Sequence, residues 1–178
     1  MNNIEVETRS FISNEEYNKL LEFFKENAKL EKEDFQETHY FDTKEDLRIQ
    51  KSNSGSKIWM KKGKIHDDWR EEIEIKLNKE DFEKAKEIFT TIGLKTEIKW
   101  LRNRNQFNWN GIKVCLDYTK GYGFIIELEK LTSEDQKEEV FSDLQEKLKE
   151  LGVKITSKEE FETKFNYYKE NWEELIRE

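Results

Sequence analysis

Proline is absent from all 178 residues, cysteine occurs once and histidine twice. A single cysteine, Cys115, rules out an intrachain disulfide and any zinc site built on several thiolates. His39 and His66 leave little for an imidazole-ligated metal, so a metal in this chain would be held by oxygen. Long apolar runs are missing too. Nothing approaches the roughly 20 residues of a membrane-spanning helix, and the N-terminus lacks the basic and apolar regions of a secretory signal. The expectation is a soluble, cytoplasmic protein with no membrane partner. Glycine is scarce, at 7 residues, and the one Ser/Gly-rich tract, Ser52 to Ser56, is short enough to be a hairpin loop. With no linker to divide it, the chain over 1–178 reads as one domain.

Charge is what the sequence has in quantity: 32 Lys and Arg against 40 Asp and Glu, a net −8. That balance disfavours non-specific nucleic-acid binding, which needs a basic face. Hydrophobic residues make up only 34%, yet 12 Phe, 6 Tyr and 5 Trp supply large apolar areas along the whole chain. Disordered segments are poor in such residues, so a folded core is expected.

Four helices announce themselves. Ser13 with Glu16 is a capping box ahead of the stripe Tyr17, Leu20, Leu21, Phe24. Asn78 precedes Phe82, Ala85, Ile88 and Phe89, with Gly93 as a stop; Ser133 with Gln136 precedes Val140, Leu144, Leu148 and Leu151, stopped by Gly152. Ser157 with Glu160 opens the last, carrying Phe161, Phe165, Tyr168, Trp172 and Leu175. Elsewhere the period is two, predicting strands over 4–11, 36–42, 47–51, 57–62, 69–77, 99–109, 112–118 and 124–131. Eight short strands with short connections predict an antiparallel sheet, and only closure into a barrel would remove its edges.

The strands sort their charges. Successive side chains point to opposite faces, so Glu5, Glu7 and Arg9 share one side, as do Arg70, Glu72 and Glu74, then Arg102, Arg104 and Gln106, then Glu127 and Glu129. Arg48 and Asp117 add one charge each. One explanation is a sheet with a wet outer face, where opposite charges pair between strands. The other is an interior lined with charge. Four amphipathic helices need an apolar sheet face to cover, which favours the second. Carboxylate oxygens from several strands suit Mg²⁺ or Mn²⁺, and Arg with Lys neutralise a polyanion, so a triphosphate meets both requirements. Phosphoryl transfer depends largely on positioning and charge neutralisation, and needs no cysteine or serine nucleophile.

The ordered set of motifs resembles the CYTH family, the triphosphate tunnel metalloenzymes, which includes class IV adenylate cyclases, thiamine triphosphatases and inorganic tripolyphosphatases. Glu5-Val-Glu-Thr-Arg9 is similar to the family's N-terminal E-x-E-x-K, with Arg for Lys. Tyr40-Phe-Asp-Thr43, Leu47-Arg48, Ile58 to Gly63, Arg70-Glu-Glu-Ile-Glu74, Arg102-Asn-Arg104, Asp117, Gly121-Tyr-Gly123 and Glu127-Leu-Glu129 follow in the family's order. The resemblance spans about residues 4 to 175. It implies an α+β fold: a closed antiparallel eight-stranded β-barrel with flanking helices, whose tunnel binds a triphosphate and Mg²⁺ or Mn²⁺. By the same implication Glu5, Glu7, Glu127 and Glu129 are metal ligands, directly or through water. Arg9, Arg48, Lys62, Arg70, Arg102 and Arg104 hold phosphates, with Lys62 and Arg9 catalytic. Glu72, Glu74 and Asp117 support them. Lys61 is the register alternative to Lys62.

Individual residues carry smaller expectations. Arg9 and Arg102 keep the family's charge but change its geometry, and an arginine cannot serve as a general base. Tyr40 reads as sheet packing, His39 and His66 as exposed, and Cys115 as neutral filler beside Asp117. The implied activity is metal-dependent hydrolysis of tripolyphosphate or a small organic triphosphate. Two alternatives stand beside it: cyclisation of ATP to cyclic AMP and pyrophosphate, and a non-catalytic module binding a triphosphate nucleotide or an RNA 5′-triphosphate end. Thr38 stands where cyclase-like members have an acid, a mark against cyclisation. The small-molecule partner would be tripolyphosphate, thiamine triphosphate or ATP, and the chain a monomer or homodimer.

Overall fold

A computed structural model describes residues 4–62 and 71–177. Arg70, His66 and Trp69 lie outside the described residues. The chain opens with β1 (Ile4–Ile12) and α1 (Asn14–Asn27), continues through β2 (Lys29–Phe41), β3 (Asp46–Lys51), β4 (Ser56–Lys61) and β5 (Glu72–Leu77), then α2 (Phe82–Thr91). It ends with β6 (Thr96–Trp109), β7 (Ile112–Thr119), β8 (Gly123–Thr132), α3 (Lys137–Glu150) and α4 (Lys158–Leu175).

The Ser13 capping box forms as its spacing requires: Ser13 N–H donates to Glu16 Oε2 at 2.6 Å, and Glu16 N–H to Ser13 Oγ at 3.1 Å. Ser157 caps α4 by accepting from Glu160 N–H at 3.1 Å. Asn78 and Ser133 make no such backbone bond; each precedes a single 3₁₀ turn, so α2 and α3 begin three or four residues later than the side-chain signal suggests.

All eight strands join one antiparallel sheet in the order β1-β8-β7-β6-β2-β3-β4-β5. The predicted barrel is not closed. Among the described residues β1 pairs with β8 alone and β5 with β4 alone, so the ladder ends at two edges. Alternation decides which face a residue takes, and it says nothing of whether the first and last strands meet. Glu72 and Glu74 on one edge strand and Glu5 and Glu7 on the other also put like charges on both margins. Part of β1's free edge is capped by other means: Phe11 N–H donates to Thr156 Oγ1 at 2.9 Å, and Thr156 N–H to Ser10 Oγ at 3.0 Å.

The sheet nevertheless curls strongly, because residues of all eight strands line one cavity. Its outer face carries the main core. Tyr17, Leu20 and Phe24 of α1 and Val140, Leu144 and Leu148 of α3 pack on Val6, Phe107, Val114, Leu116, Ile126 and Leu128. A second outer cluster sets Phe82, Ala85 and Phe89 of α2 on Phe41, Ile49 and Ile58. The last helix behaves differently. Tyr168 of α4 is fully buried against Tyr40, Ile98 and Trp100, and these project on the inner face with Arg102 and Arg104 by strand parity. So α4 covers one end of the concavity. Its C-terminal turn approaches the β7–β8 turn so closely that a Cβ on Gly121, whose φ is +75°, would lie 2.6 Å from Leu175 Cβ.

His39 departs from the sequence expectation: it is 7% exposed on the outer face. Its Nε2 lies 2.9 Å from Glu37 Oε1, which also takes Lys99 Nζ at 2.9 Å. The contact to His39, with that to Lys99, holds Glu37 down to about 2 against the effect of burial. A carboxylate lowered on folding stabilises the native state fully above its ordinary value of 4.5, and that contribution is lost as the pH falls from there towards about 2. Glu37→Gln is therefore expected to cost about 1 kcal/mol at pH 7 and progressively less as the pH approaches 3, measured by urea unfolding at both pH values. Leu148→Ala, in the fully buried core, should cost roughly 2–5 kcal/mol at either pH.

Candidate functional site

The inner face bounds a cavity of about 640 Å³. Among the described residues its lining includes seven carboxylates and nine Lys or Arg side chains. Strand register explains the arrangement. Arg9 lies opposite Glu127 and Glu7 opposite Glu129 between β1 and β8; Arg104 lies opposite Asp117 between β6 and β7; Cys115 lies opposite Glu127 between β7 and β8.

At the centre Arg104 is held as a fork. Its Nε donates to Asp117 Oδ1 at 2.8 Å and its Nη2 to Asp117 Oδ2 at 2.6 Å, with Glu127 Oε1 at 3.5 Å. Arg102 Nη1 approaches the same Asp117 at 3.4 Å. Burial would disfavour the charge on Arg104, but Asp117 and Glu127 outweigh it and raise the group well above its ordinary value. Burial likewise works against ionised Glu127, and Arg104, Arg9 and Arg102 overcome it, leaving the group at about 2. Two residues along, Glu129 goes the other way. Burial raises it, Glu5 and Glu127 add repulsion, and the 2.6 Å ion pair with Lys113 only partly compensates. One E-x-E strand thus carries one firmly ionised carboxylate and one that binds protons more readily.

Arg48 is fixed by other means. Its Nε donates to Asp46 Oδ1 at 2.6 Å and its Nη2 to Asp46 Oδ2, while its guanidinium lies over the rings of Tyr40, at 4.2 Å, and Trp59, at 5.5 Å. Arg9 rests over Phe161 at 5.0 Å and Arg102 over Trp100 at 5.1 Å. Glu7 of β1 contributes to the raised value of Arg48, which places the two near each other although five strand-to-strand steps separate them in the ladder.

Of the sequence-predicted residues, Glu5, Glu7, Arg9, Arg48, Glu72, Glu74, Arg102, Arg104, Asp117, Glu127 and Glu129 all line the cavity. Lys62 does not. It lies just past β4, half exposed, with Nζ 3.1 Å from both carboxylate oxygens of Glu71. Its neighbour Lys61 lines the cavity and pairs with Glu72 at 3.2 Å. Parity explains this, since Lys57, Trp59 and Lys61 share the inner face of β4 and Lys62 does not. Lys113 and Lys32 also line the cavity, and sequence reading missed them; Gln106, which alternation groups with Arg102 and Arg104, lines it too. The same alternation that grouped Cys115 with Asp117 would have found Lys113. Cys115 itself is fully buried, and burial pushes its thiol up to about 12, so it stays neutral.

Among the described residues no three carboxylate, His or Cys side chains converge closely enough to enclose a metal ion. The donor set is nonetheless of the hard-oxygen kind, with Glu7 and Glu129 in direct register and Glu5 close enough to act on Glu129. Such a set suits Mg²⁺ or Mn²⁺ when ligand phosphates and water supply the rest of the octahedron. No helix is long and apolar enough to cross a membrane among the described residues.

The CYTH domain model matches residues 3–161. A Methanocaldococcus jannaschii protein, provisionally named an adenylate cyclase, is 33% identical over 162 residues, covering 84% of this chain and 90% of the relative. A conserved hypothetical protein from Pyrococcus furiosus has a similar structure, with a TM-score of 0.73, 27% identity, and coverage of 84% of this chain and 91% of that one. A Hippeastrum protein, provisionally named an adenylyl cyclase and described as having a dominant triphosphatase activity, shares the fold with a TM-score of 0.63 at 20% identity, covering 88% of this chain and 93% of that one.

The Arg104–Asp117 fork gives a stability expectation. Asp117→Asn leaves Arg104 with a weakened partner at a site only 14% exposed. The variant should lose roughly 3 kcal/mol in urea unfolding at pH 7, the low end for a broken buried pair because the cavity admits water and Glu127 remains.

Proposed function

The chain belongs to the CYTH family, and on that premise we propose that it is a divalent-metal-dependent phosphohydrolase acting on inorganic tripolyphosphate or a small organic triphosphate and releasing orthophosphate. Proteins of this family are typically enzymes acting on triphosphates. The observation that carries the reading is the convergence of arginines and lysines with carboxylates in one cavity. A triphosphate bears about four negative charges, and here the cations to meet them are already held in place by their neighbours.

In this reading Arg9, Arg48, Arg102 and Arg104, with Lys61 and Lys113, bind and orient the phosphate chain. Glu5, Glu7, Glu127 and Glu129 would hold Mg²⁺ or Mn²⁺, which when bound would neutralise phosphate oxygens and polarise the phosphorus under attack. Asp117 keeps Arg104 in its fork, and Glu72 and Glu74 set Lys61 and Lys57. Water attacks in line. The arginines cannot take its proton, so their work is placement and charge neutralisation, which is most of what phosphoryl transfer asks of a protein.

Cyclisation would additionally require a seat for a nucleoside. Several rings that line the cavity are already engaged: Tyr40 and Trp100, 7% and 6% exposed, pack on Tyr168 of α4 and stack under Arg48 and Arg102, while Trp59 and Phe161 lie under Arg48 and Arg9. This favours hydrolysis. The provisional cyclase name of the archaeal relative keeps the cyclase reading as the competitor to test.

Purified protein would be incubated with tripolyphosphate, ATP and thiamine triphosphate, each with Mg²⁺ or Mn²⁺, and products read by phosphorus NMR. Orthophosphate from tripolyphosphate is expected, stopped by EDTA and lowered about 100-fold or more by Glu127→Ala. Cyclic AMP with pyrophosphate from ATP would replace this reading with the cyclase. Metal-dependent binding without turnover of any of the three would leave a binding module.

A further inference from the structure

Asp46, Tyr40 and Trp59 all converge on Arg48. Tyr40 of β2, Arg48 of β3 and Trp59 of β4 are direct lateral neighbours, with Tyr40 opposite Arg48 and Arg48 opposite Trp59 in the ladders. One guanidinium therefore meets a ring from each side of its strand, at 4.2 Å and 5.5 Å from the centroids. Asp46 stands two residues earlier on the same face and takes Nε and Nη2 as a fork. All four are buried or nearly so: Tyr40 is 7% and Trp59 5% exposed, and the side chains of Arg48 and Asp46 are 12% and 9% exposed. Arg48, Tyr40 and Trp59 line the cavity, and Asp46 does not.

We infer that Asp46, Tyr40 and Trp59 are positioning residues, which lock Arg48 so that only its far edge, Nη1 with the outer N–H of Nη2, is offered to a phosphate in the cavity. The inference rests on the proposed triphosphate reading and adds to it residues that touch Arg48 rather than substrate. The physical case is one of pre-organisation. A free arginine samples many rotamers and must be ordered when it binds, whereas one held by two rings and a carboxylate fork has been ordered by folding. Arg104 is held similarly through Nε and Nη2 by Asp117, but there the flanking group is another carboxylate, Glu127. At Arg48 the flanks are aromatic. Rings attract the cation without competing for its N–H groups, so the far edge stays available.

The test is a double-mutant cycle read on tripolyphosphate. Binding is measured by calorimetry in EDTA, where turnover stops, and kcat and KM are measured with Mg²⁺. Asp46→Asn and Trp59→Leu are each expected to weaken tripolyphosphate binding about three- to tenfold, whereas Trp59→Phe and Tyr40→Phe, which keep a ring, stay within about twofold of the wild type. In an Arg48→Gln background the Asp46→Asn and Trp59→Leu effects should vanish, because the group they act through is gone. Effects that persist in that background would mean the residues act on the fold at large and would overturn the inference. If Arg48→Gln binds tripolyphosphate as tightly as the wild type, the inference fails while the proposed function stands. If the wild type neither binds nor turns over tripolyphosphate, the function reading fails and takes the inference with it. Trp59 also lies under Lys57, at 4.5 Å, so Asp46→Asn, close to isosteric and remote from Lys57's ring contact, carries the cycle alone should Trp59→Leu not fold.

Discussion

Charge placed on the concave side of a curled sheet must find partners, and this constraint organises the molecule. A lone carboxylate or guanidinium in the position of Glu127 or Arg104 would be too costly to bury. The strands answer by setting opposite signs in register, Arg104 against Asp117 and Arg9 against Glu127. Most of the outer face beneath α1, α2 and α3 can then be given to Phe, Leu, Ile and Val. The two halves of each strand's alternation are therefore one device. The apolar half anchors the helices, which hold the curl, and the curl brings the charged half together.

The same lattice explains why two glutamates on one strand differ so much. Glu127 sits among three arginines and stays ionised, while Glu129 has a single lysine and two other carboxylates, Glu5 and Glu127, close by. A site assembled this way holds strong cations and an unevenly charged acid set side by side before any ligand arrives. The aromatic rings take a second part in it. Phe161, Trp100, Tyr40 and Trp59 lie under Arg9, Arg102 and Arg48, so residues that look like core serve to fix cations.

Much of this was legible in the sequence, because period-two alternation says which face a residue takes. Glu5, Glu7, Arg9, Arg102, Arg104, Glu127 and Glu129 were grouped on that basis alone, and the Ser13–Glu16 box marked the start of α1. What alternation cannot convey is circumference. Closure depends on whether β1 meets β5, a contact between chain-distant edges with no local signature, and the barrel expected from the family resemblance is an open sheet here. The first half of β2, Lys29 to Asp34, is too polar to read as a strand, and it is held as one by its long pairing with β6. His39 is buried because Glu37 and Lys99 are brought beside it, a neighbourhood made by β2–β6 register rather than by sequence proximity alone. The family motif points to Lys62, whereas strict parity on β4 selects Lys61, which lines the cavity.

In a closed barrel the number of strands and their stagger set the radius, and the pore is as wide as that arithmetic dictates. A sheet whose last strand pairs, among the described residues, with β4 alone is a hoop without a clasp. Its girth is not set by strand count, and falls instead to the helices packed on the sheet and the side chains it surrounds. The width of this bore is thus a matter of packing and charge rather than of strand arithmetic.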